Sequence, residues 1–196
     1  MLDGQAGSVS KKVDRSKRAR NAVDRSLDER CLVRITRTVR DVEPIDGVVV
    51  AAGIRWVIVS RLSPDLDLDG YTAVRWKHIK KAQTFDPDSV PSRATVRATS
   101  LPPMNIADAT TTGSLLRSIE STFTPVAVRS ESSNPSSLTI GAISGIVAKS
   151  VLVLPTLPLD RQDPCLEVPF ERVTRIDFGT RYLAGLARAA TRATSR

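Results

Sequence analysis

The second half of this chain follows the pattern of the first at a constant, ungapped offset of 94 residues. The coinciding turn residues and acids are Gly47 with Gly141, Pro64 with Pro158 and Asp69 with Asp163. Apolar positions also align with apolar positions under this offset, for example Val59 with Val153 and Trp76 with Phe170. Self-similarity at a fixed spacing indicates a repeated structural unit, and this constrains the fold more strongly than any local feature. We therefore expect two copies of one small scaffold.

Each copy has the pattern of a short helix followed by five short strands. In the first copy, Ala19, Ala22, Val23 and Leu27 recur at helical spacing within residues 14–30. Period-two or β-branched segments then predict strands at residues 31–39, 47–52, 56–62, 71–77 and 79–85. In the second copy a cap at Thr112 starts a helix, a strand covers 125–130, and the matching block covers 140–178. A basic helix follows Gly179.

The resulting prediction is a mainly β, α+β protein of two tandem, small, bent five-stranded β-barrels, each preceded by a short helix. Residues 1–13 are polar and are expected to form a flexible basic tail. Residues 14–86 form the first unit, and residues 110–196 form the second unit with its C-terminal helix. Residues 87–109 contain four prolines, which are excluded from central strands and helix interiors, so this segment is predicted to be a linker.

The formal net charge is +8, and most of it lies near the N-terminus. Residues 1–40 hold eleven Lys or Arg and five acids, a surplus of +6. No apolar stretch is long enough to span a bilayer, and the first twenty residues lack the apolar core of a secretory signal. Cys31 and Cys165 have no metal-ligand spacing and do not suggest a disulfide scaffold. We expect a cytoplasmic protein without membrane contact.

No residue pattern predicts a catalytic or metal site, so a non-enzymatic protein without cofactors is expected. Residues 65–70 begin like a calcium-binding loop, but Trp76 stands where that loop requires a bidentate Glu. An acidic, solvated hairpin loop is the favoured interpretation. His78 is the only histidine, which excludes a multi-histidine site within one chain, and we expect it to be a surface residue.

Two basic segments are candidate nucleic-acid contacts. The first is the N-terminal arm, and the second surrounds Trp76; their residues are Lys11, Lys12, Arg15, Lys17, Arg18, Arg20, Arg75, Lys77, Lys80 and Lys81. Cations gain by releasing counterions from phosphates, and single-strand binders combine charge with aromatic stacking. A solvated arm is the alternative for the first segment. For Trp76 core packing is favoured over stacking, because it shares a period-two face with Val74.

Residues 47–85 and 141–179 resemble the Sm-like and SH3-like small barrels. They also resemble uncharacterised bacterial proteins with Trp56-Val-Ile-Val followed by Asp69-Gly-Tyr-Thr-Ala-Val-Arg75 and Ile79. Residues 170–179 are similar to the closing strand of the same group. The resemblance covers about eighty residues. It implies a helix followed by five bent strands, edge-to-edge assembly and, in the Sm branch, RNA binding. The Arg-Gly pair of the second Sm motif is absent from both copies.

Two functions are consistent with these patterns. The barrels are interaction or assembly modules that pair through open strand edges, within the chain or between chains, and bind protein partners. Alternatively they bind RNA or single-stranded DNA, with the basic arm supplying most of the affinity. Because the repeat keeps Gly, Pro, one Asp and the apolar face, the function is expected in unmatched residues or in the joint between the halves.

Overall fold

The computed structural model of the protein describes residues 4–86, 109–156 except 133 and 135, and 165–194, with side chains from residue 16 to residue 192. Within these residues the fold is α+β, as predicted, with three helices and ten strands. The helices are α1 (Gly4–Glu29), α2 (Thr112–Glu120) and α3 (Arg181–Thr194). The strands are β1 (Leu32–Arg37), β2 (Ile45–Ala52), β3 (Trp56–Leu62), β4 (Leu68–Arg75), β5 (Ile79–Thr84), β6 (Val126–Arg129), β7 (Leu138–Val147), β8 (Ser150–Pro155), β9 (Leu166–Pro169) and β10 (Arg175–Phe178).

All ten strands belong to one antiparallel sheet in the order β5-β1-β2-β3-β4-β10-β6-β7-β8-β9. The two halves meet where β10 pairs with β4, in a register that places Arg175 opposite Val74 and Phe178 opposite Tyr71. The predicted strands are present, but the sheet continues from one half into the other. The predicted linker, residues 87–109, lies outside the described residues except for Ala109.

Helix α1 begins ten residues before the predicted start, so residues 4–13 are helical where a flexible tail was predicted. Ala6, Val9 and Val13 recur at helical spacing in this segment, but its polar, Gly- and Ser-containing composition favoured a tail. Nearer its C-terminal end α1 is held against the sheet by Ala19, Val23 and Ser26, which are all buried. The Ser26 hydroxyl accepts a hydrogen bond from Val49 N at 3.1 Å and donates one to Cys31 O at 2.6 Å. Small side chains on this face let the helix approach the strands closely.

The interior consists of two cores that share strands β3 and β4. On one face of β3, Val57 and Val59 pack with α1 and with β1, β2 and β4. On the other face, Trp56 and Ile58 pack with α2 and with the strands of the second half. Because both faces of β3 are covered, its apolar residues are continuous instead of alternating with polar ones. The second half thus buries a surface that the first half would expose on its own.

The start of helices α2 and α3 is fixed by side-chain caps. Thr111 caps α2 by accepting a hydrogen bond from Ser114 N at 3.1 Å, and Ser114 accepts one from Thr111 N, so the cap lies one residue before the predicted Thr112. Helix α3 is capped by Thr180, whose hydroxyl accepts from Leu183 N at 3.2 Å. Asp69 from the first half also accepts from Arg181 N at 2.8 Å. None of the described helices has a stretch long and apolar enough to cross a bilayer.

Candidate functional site at the joint between the halves

The joint contains a buried seam of charged side chains around Asp177. This carboxylate accepts hydrogen bonds from Thr72 at 2.6 Å, from Arg175 Nε at 2.6 Å and from Arg129 Nε at 3.1 Å. Burial alone would raise the pKa of Asp177, but the charge of Arg175, the hydrogen bonds from Thr72 and Arg175 and the charge of Arg129 outweigh it and lower that pKa. Desolvation lowers the pKa of Arg175, and Asp177 partly offsets this. The seam ties β4 to β10 through side chains as well as backbone.

A second buried ion pair joins Arg37, at the end of β1, to Glu131, which follows β6. Both side chains are only 1% exposed. Nη1 of Arg37 donates to Glu131 Oε2, and the Thr174 hydroxyl donates to the same oxygen at 2.8 Å. Alternation along β1 placed Arg37 on the apolar face with Val33 and Ile35, and the structure buries it there. Its charge is compensated by the opposite half of the chain.

A cavity of about 640 Å³ is lined by residues of both halves. Arg55 and Arg75 enter it from the first half, and Arg117 of α2 and Lys149 of the β7–β8 turn enter it from the second. Glu171 is the only acidic residue of the described lining. Four basic side chains against one acidic side chain give the described lining a charge of +3. We refer to Arg55, Arg75, Arg117 and Lys149 as the cavity cations.

Arg75 is buried at 8% exposure and has no carboxylate partner among the described residues. Its guanidinium donates to Thr112 Oγ1 at 2.8 Å and to Glu171 O at 3.5 Å, while its Nε makes no hydrogen bond to the described residues. It lies over the Trp56 ring at 5.2 Å. Desolvation and the neighbouring charge of Arg55 lower the pKa of Arg75. A buried cation without an anion is unfavourable unless something else supplies the negative charge.

The predicted nucleic-acid contacts fall into three groups in the structure. The side chains of Lys11, Lys12 and Arg15 lie outside the described residues. Those of Lys17, Arg18, Arg20, Lys77, Lys80 and Lys81 are exposed. Arg75 does not belong with them, because it faces inward from β4 towards Thr112. The structure therefore buries Arg75 and exposes the other described members, although Lys77 and Arg75 both donate to Glu171 O, at 3.4 Å and 3.5 Å.

The exposed members of this set come from helix α1, from the 3-10 turn at residues 76–78 and from strand β5. Helix α1 contacts β5, and the Arg20 guanidinium lies 4.6 Å from the centroid of the Trp76 ring. Trp76 lies in a 3-10 turn and not in a strand, is half-buried, and donates from its indole nitrogen to Gly53 O at 2.8 Å. We call the exposed surface of Lys17, Arg18, Arg20, Lys77, Lys80 and Lys81 the α1–β5 face.

His78 is half-buried, and the prediction of a surface residue is wrong. Desolvation, reinforced by the charges of Lys77 and Arg75, lowers the pKa of His78 from 6.5 to about 4. Its Nε2 has no hydrogen-bond partner among the described residues. The imidazole is therefore neutral at physiological pH and adds nothing to the charge of the α1–β5 face.

The predicted acidic loop, residues 65–70, extends into the start of β4 and contacts α3. Asp67 and Asp69 lie 4.0 Å and 3.6 Å from nitrogens of the Arg181 guanidinium. Cys165 is exposed, and its sulfur lies 2.8 Å from the Ser144 hydroxyl. The described residues contain no group of three or more His, Cys, Asp or Glu side chains placed to hold a metal ion.

Sequence patterns had not selected Arg55, Arg117 or Lys149. These residues belong to a turn, a helix and a hairpin that lie far apart along the chain, and no spacing rule connects them. Only Arg75 had been selected, on the basis of its neighbours in the sequence. Of the sequence-based expectations, only the one that placed functional residues in unmatched positions or in the joint between the halves pointed to this cavity.

Comparison of the chain with protein-family models, with curated proteins and with solved structures finds no match.

Proposed function

We propose that the sheet consists of two small Sm-like barrels in tandem, joined edge to edge at β4 and β10. The order β5-β1-β2-β3-β4 on one side corresponds to β10-β6-β7-β8-β9 on the other. Register shifts interrupt β2 between Val49 and Ala51 and β7 between Ile143 and Gly145, at positions 94 residues apart. Such bulges bend a strand, which a small barrel requires.

On this scaffold, the function that the geometry supports best is non-enzymatic binding of single-stranded RNA or DNA at the α1–β5 face. The observation that carries the proposal is the packing of α1 against β5, with Arg20 over Trp76. This packing brings helix α1 against the segment of the chain that carries Lys77, Lys80 and Lys81, which is distant in sequence. Exposed cations on elements that pack together are the kind of surface that a phosphate backbone requires.

The expected mode of binding is electrostatic and independent of base sequence. Lys and Arg side chains contact phosphates, and each contact releases counterions, so the affinity falls with rising salt. Trp76 is covered by Arg20 and half-buried, so base stacking on it would first require Arg20 to move. We therefore expect little discrimination between RNA and single-stranded DNA.

The test measures the affinity for a mixed-sequence oligonucleotide without a 5′-phosphate by fluorescence anisotropy over a series of salt concentrations. We compare the wild type with the Lys80→Gln/Lys81→Gln double variant. If both lysines contact phosphates, the slope of log affinity against log salt falls in magnitude by about 1.4, because each contact to a single strand contributes about 0.7. The matched control is Arg188→Gln/Arg192→Gln, which removes two exposed charges from α3.

Two results would overturn the proposal. One is the absence of measurable binding at low salt. The other is an equal loss of affinity in the α3 control, because binding would then follow net charge and not the α1–β5 face.

The pairing of β4 with β10 supports a second candidate function, self-assembly through the outer edges β5 and β9. A pairing of β9 with β5 of another copy would repeat the internal joint. On β8 and β9, Leu154 and Leu166 remain 50% and 42% exposed. However, β9 is short and contains Pro169, and β5 exposes Lys80 and Lys81, which are features that weaken edge pairing. Any association is therefore weaker than the internal joint.

Light scattering over a concentration series checks this candidate. Self-assembly predicts a mass that grows with concentration and a loss of that growth in Leu166→Lys, which places a charge on the edge strand. Leu138→Lys is the control, because Leu138 is similarly exposed at 40% but lies on β7, between two strands. A constant monomer mass would exclude assembly through these edges.

A further inference from the structure

We propose that the cavity between the halves is a binding site for a multiply charged phosphate group, held by Arg55, Arg75, Arg117 and Lys149. This site adjoins the α1–β5 face, since Lys77 Nζ donates to Glu171 O of the cavity lining at 3.4 Å, but its four cations are not members of that face and its proposal does not depend on nucleic-acid binding there. The ligand chemistry is a phosphomonoester or pyrophosphate. Its source is either a free nucleotide or the phosphorylated end of a nucleic-acid strand.

The first argument is the uncompensated charge of Arg75. The other buried arginines of the joint have carboxylate partners, since Arg37 pairs with Glu131 and Arg175 pairs with Asp177. Arg75 is buried to a similar extent but faces a cavity that contains three further cations. Its hydrogen bonds to Thr112 and Glu171 are to neutral oxygens and leave Nε unpaired among the described residues. A bound anion would supply the missing negative charge.

The second argument is the arrangement of the cavity cations. The chain brings together side chains from four separate elements, although their mutual repulsion opposes this. Arg55, Arg117 and Lys149 are exposed, and none of them has a carboxylate partner among the described residues. Arginines present planar donors that suit phosphate oxygens, and lysine adds a mobile point charge. The volume of about 640 Å³ is within the range of small-ligand sites.

The third argument is the position of α2. Its first turn lines the cavity through Thr111, Thr112 and Gly113. The positive end of the helix dipole therefore adds to the field of the four cations. Thr112 also holds the Arg75 guanidinium at 2.8 Å and accepts from the Trp56 indole at 3.3 Å. Arg75 is thus oriented before any ligand arrives.

The test uses the full chain, with pyrophosphate as the probe. We expect saturable binding by calorimetry, at one site per chain, and a rise in the melting temperature on addition of pyrophosphate. Arg117→Gln and Lys149→Gln remove exposed cations and should leave the fold intact. Each should weaken binding by about tenfold, because each removes one charge-assisted contact. Arg188→Gln on α3 is the matched control and should leave the affinity unchanged.

Arg75→Met tests the buried member of the set. Because the readout is the difference between the melting temperatures with and without pyrophosphate, a change in the stability of the unliganded chain does not obscure it. We expect the pyrophosphate response to disappear in this variant. A response equal to that of the wild type in Arg75→Met, or equal losses in Arg117→Gln and Arg188→Gln, would overturn the proposal. So would the absence of saturable binding at low salt.

Two further probes identify the source of the phosphate. Adenosine triphosphate that binds as tightly as pyrophosphate indicates a free nucleotide. A 5′-phosphorylated oligonucleotide that binds more tightly than its 5′-hydroxyl counterpart, with the difference lost in Arg117→Gln, indicates a strand end. The 5′-hydroxyl oligonucleotide reports on the α1–β5 face and pyrophosphate reports on the cavity, so either proposal can fail without the other.

Discussion

Glu131→Gln is expected to lower the free energy of unfolding by about 3–5 kcal/mol, because it leaves the buried guanidinium of Arg37 without a counter-charge. Glu131 is the only acid within ion-pair distance of Arg37 among the described residues. Glutamine keeps the shape of the side chain and its contact with Thr174, so the change isolates the charge. Urea unfolding followed by circular dichroism gives the measurement, with the slope against urea checked for constancy.

The control for this prediction is Glu29→Gln, which breaks the exposed pair between Arg25 and Glu29 and should leave the urea midpoint almost unchanged. A double variant, Arg37→Met/Glu131→Met, should recover most of the lost stability. Removing both charges also removes the Arg37 Nε, which has no hydrogen-bond partner among the described residues. If Glu131→Gln behaves like Glu29→Gln, the pair contributes nothing and the argument that Glu131 compensates the buried charge of Arg37 fails.

Gly47→Ala and Gly141→Ala are each expected to destabilise the protein by about 1–3 kcal/mol. A Cβ at Gly47 would overlap the carbonyl oxygen of Ser60, and one at Gly141 would overlap the carbonyl oxygen of Leu154. Side-chain atoms of Val59 and Val153 stand only 2.7 Å and 2.9 Å away. Backbone obstacles cannot move aside without shifting a neighbouring strand. Thermal and urea unfolding of both variants measure the effect.

Gly185→Ala provides the comparison for these variants. Gly185 lies inside α3, and a Cβ there meets nothing within 4 Å. The same substitution should therefore stabilise the chain by about 0.5–1 kcal/mol, because alanine suits a helix interior better than glycine. Destabilisation at position 185, or tolerance at both 47 and 141, would contradict the steric explanation.

The order of elements could be predicted because each has a local signal. Strand β3 was predicted with its observed bounds, since Trp56 to Val59 is a continuous run of apolar residues. Such a run is typical of a strand covered on both faces, but no local pattern indicates which part of the chain covers it. The pairing of β4 with β10 joins residues about a hundred positions apart, and neither strand has a sequence feature that identifies the other as its partner.

The candidate site was less predictable for the same reason. Alternation along β1 puts Arg37 on the same face as Val33 and Ile35, but its partner Glu131 stands just after the predicted strand 125–130, where no pattern selected it. The two residues are 94 positions apart, so the repeat itself aligned opposite charges. Equivalent positions in two copies of a repeat do not generally contact each other, so the alignment gave no reason to predict an ion pair between Arg37 and Glu131. The cavity cations come from four elements and converge only after the sheet has formed.

The shared strand β3 has a consequence for the chain during its synthesis. The first half is complete at Thr84, but the residues that cover Trp56 and Ile58 and pair with the edge of β4 extend to Phe178. At ordinary rates of translation, the ribosome needs about 5–20 s to add that stretch. During this interval the apolar face of β3 and the open edge of β4 are exposed, because the residues that cover them have not yet been synthesised. The order of the two halves along the chain thus creates a period of exposure to aggregation or chaperone binding that ends only when β10 docks.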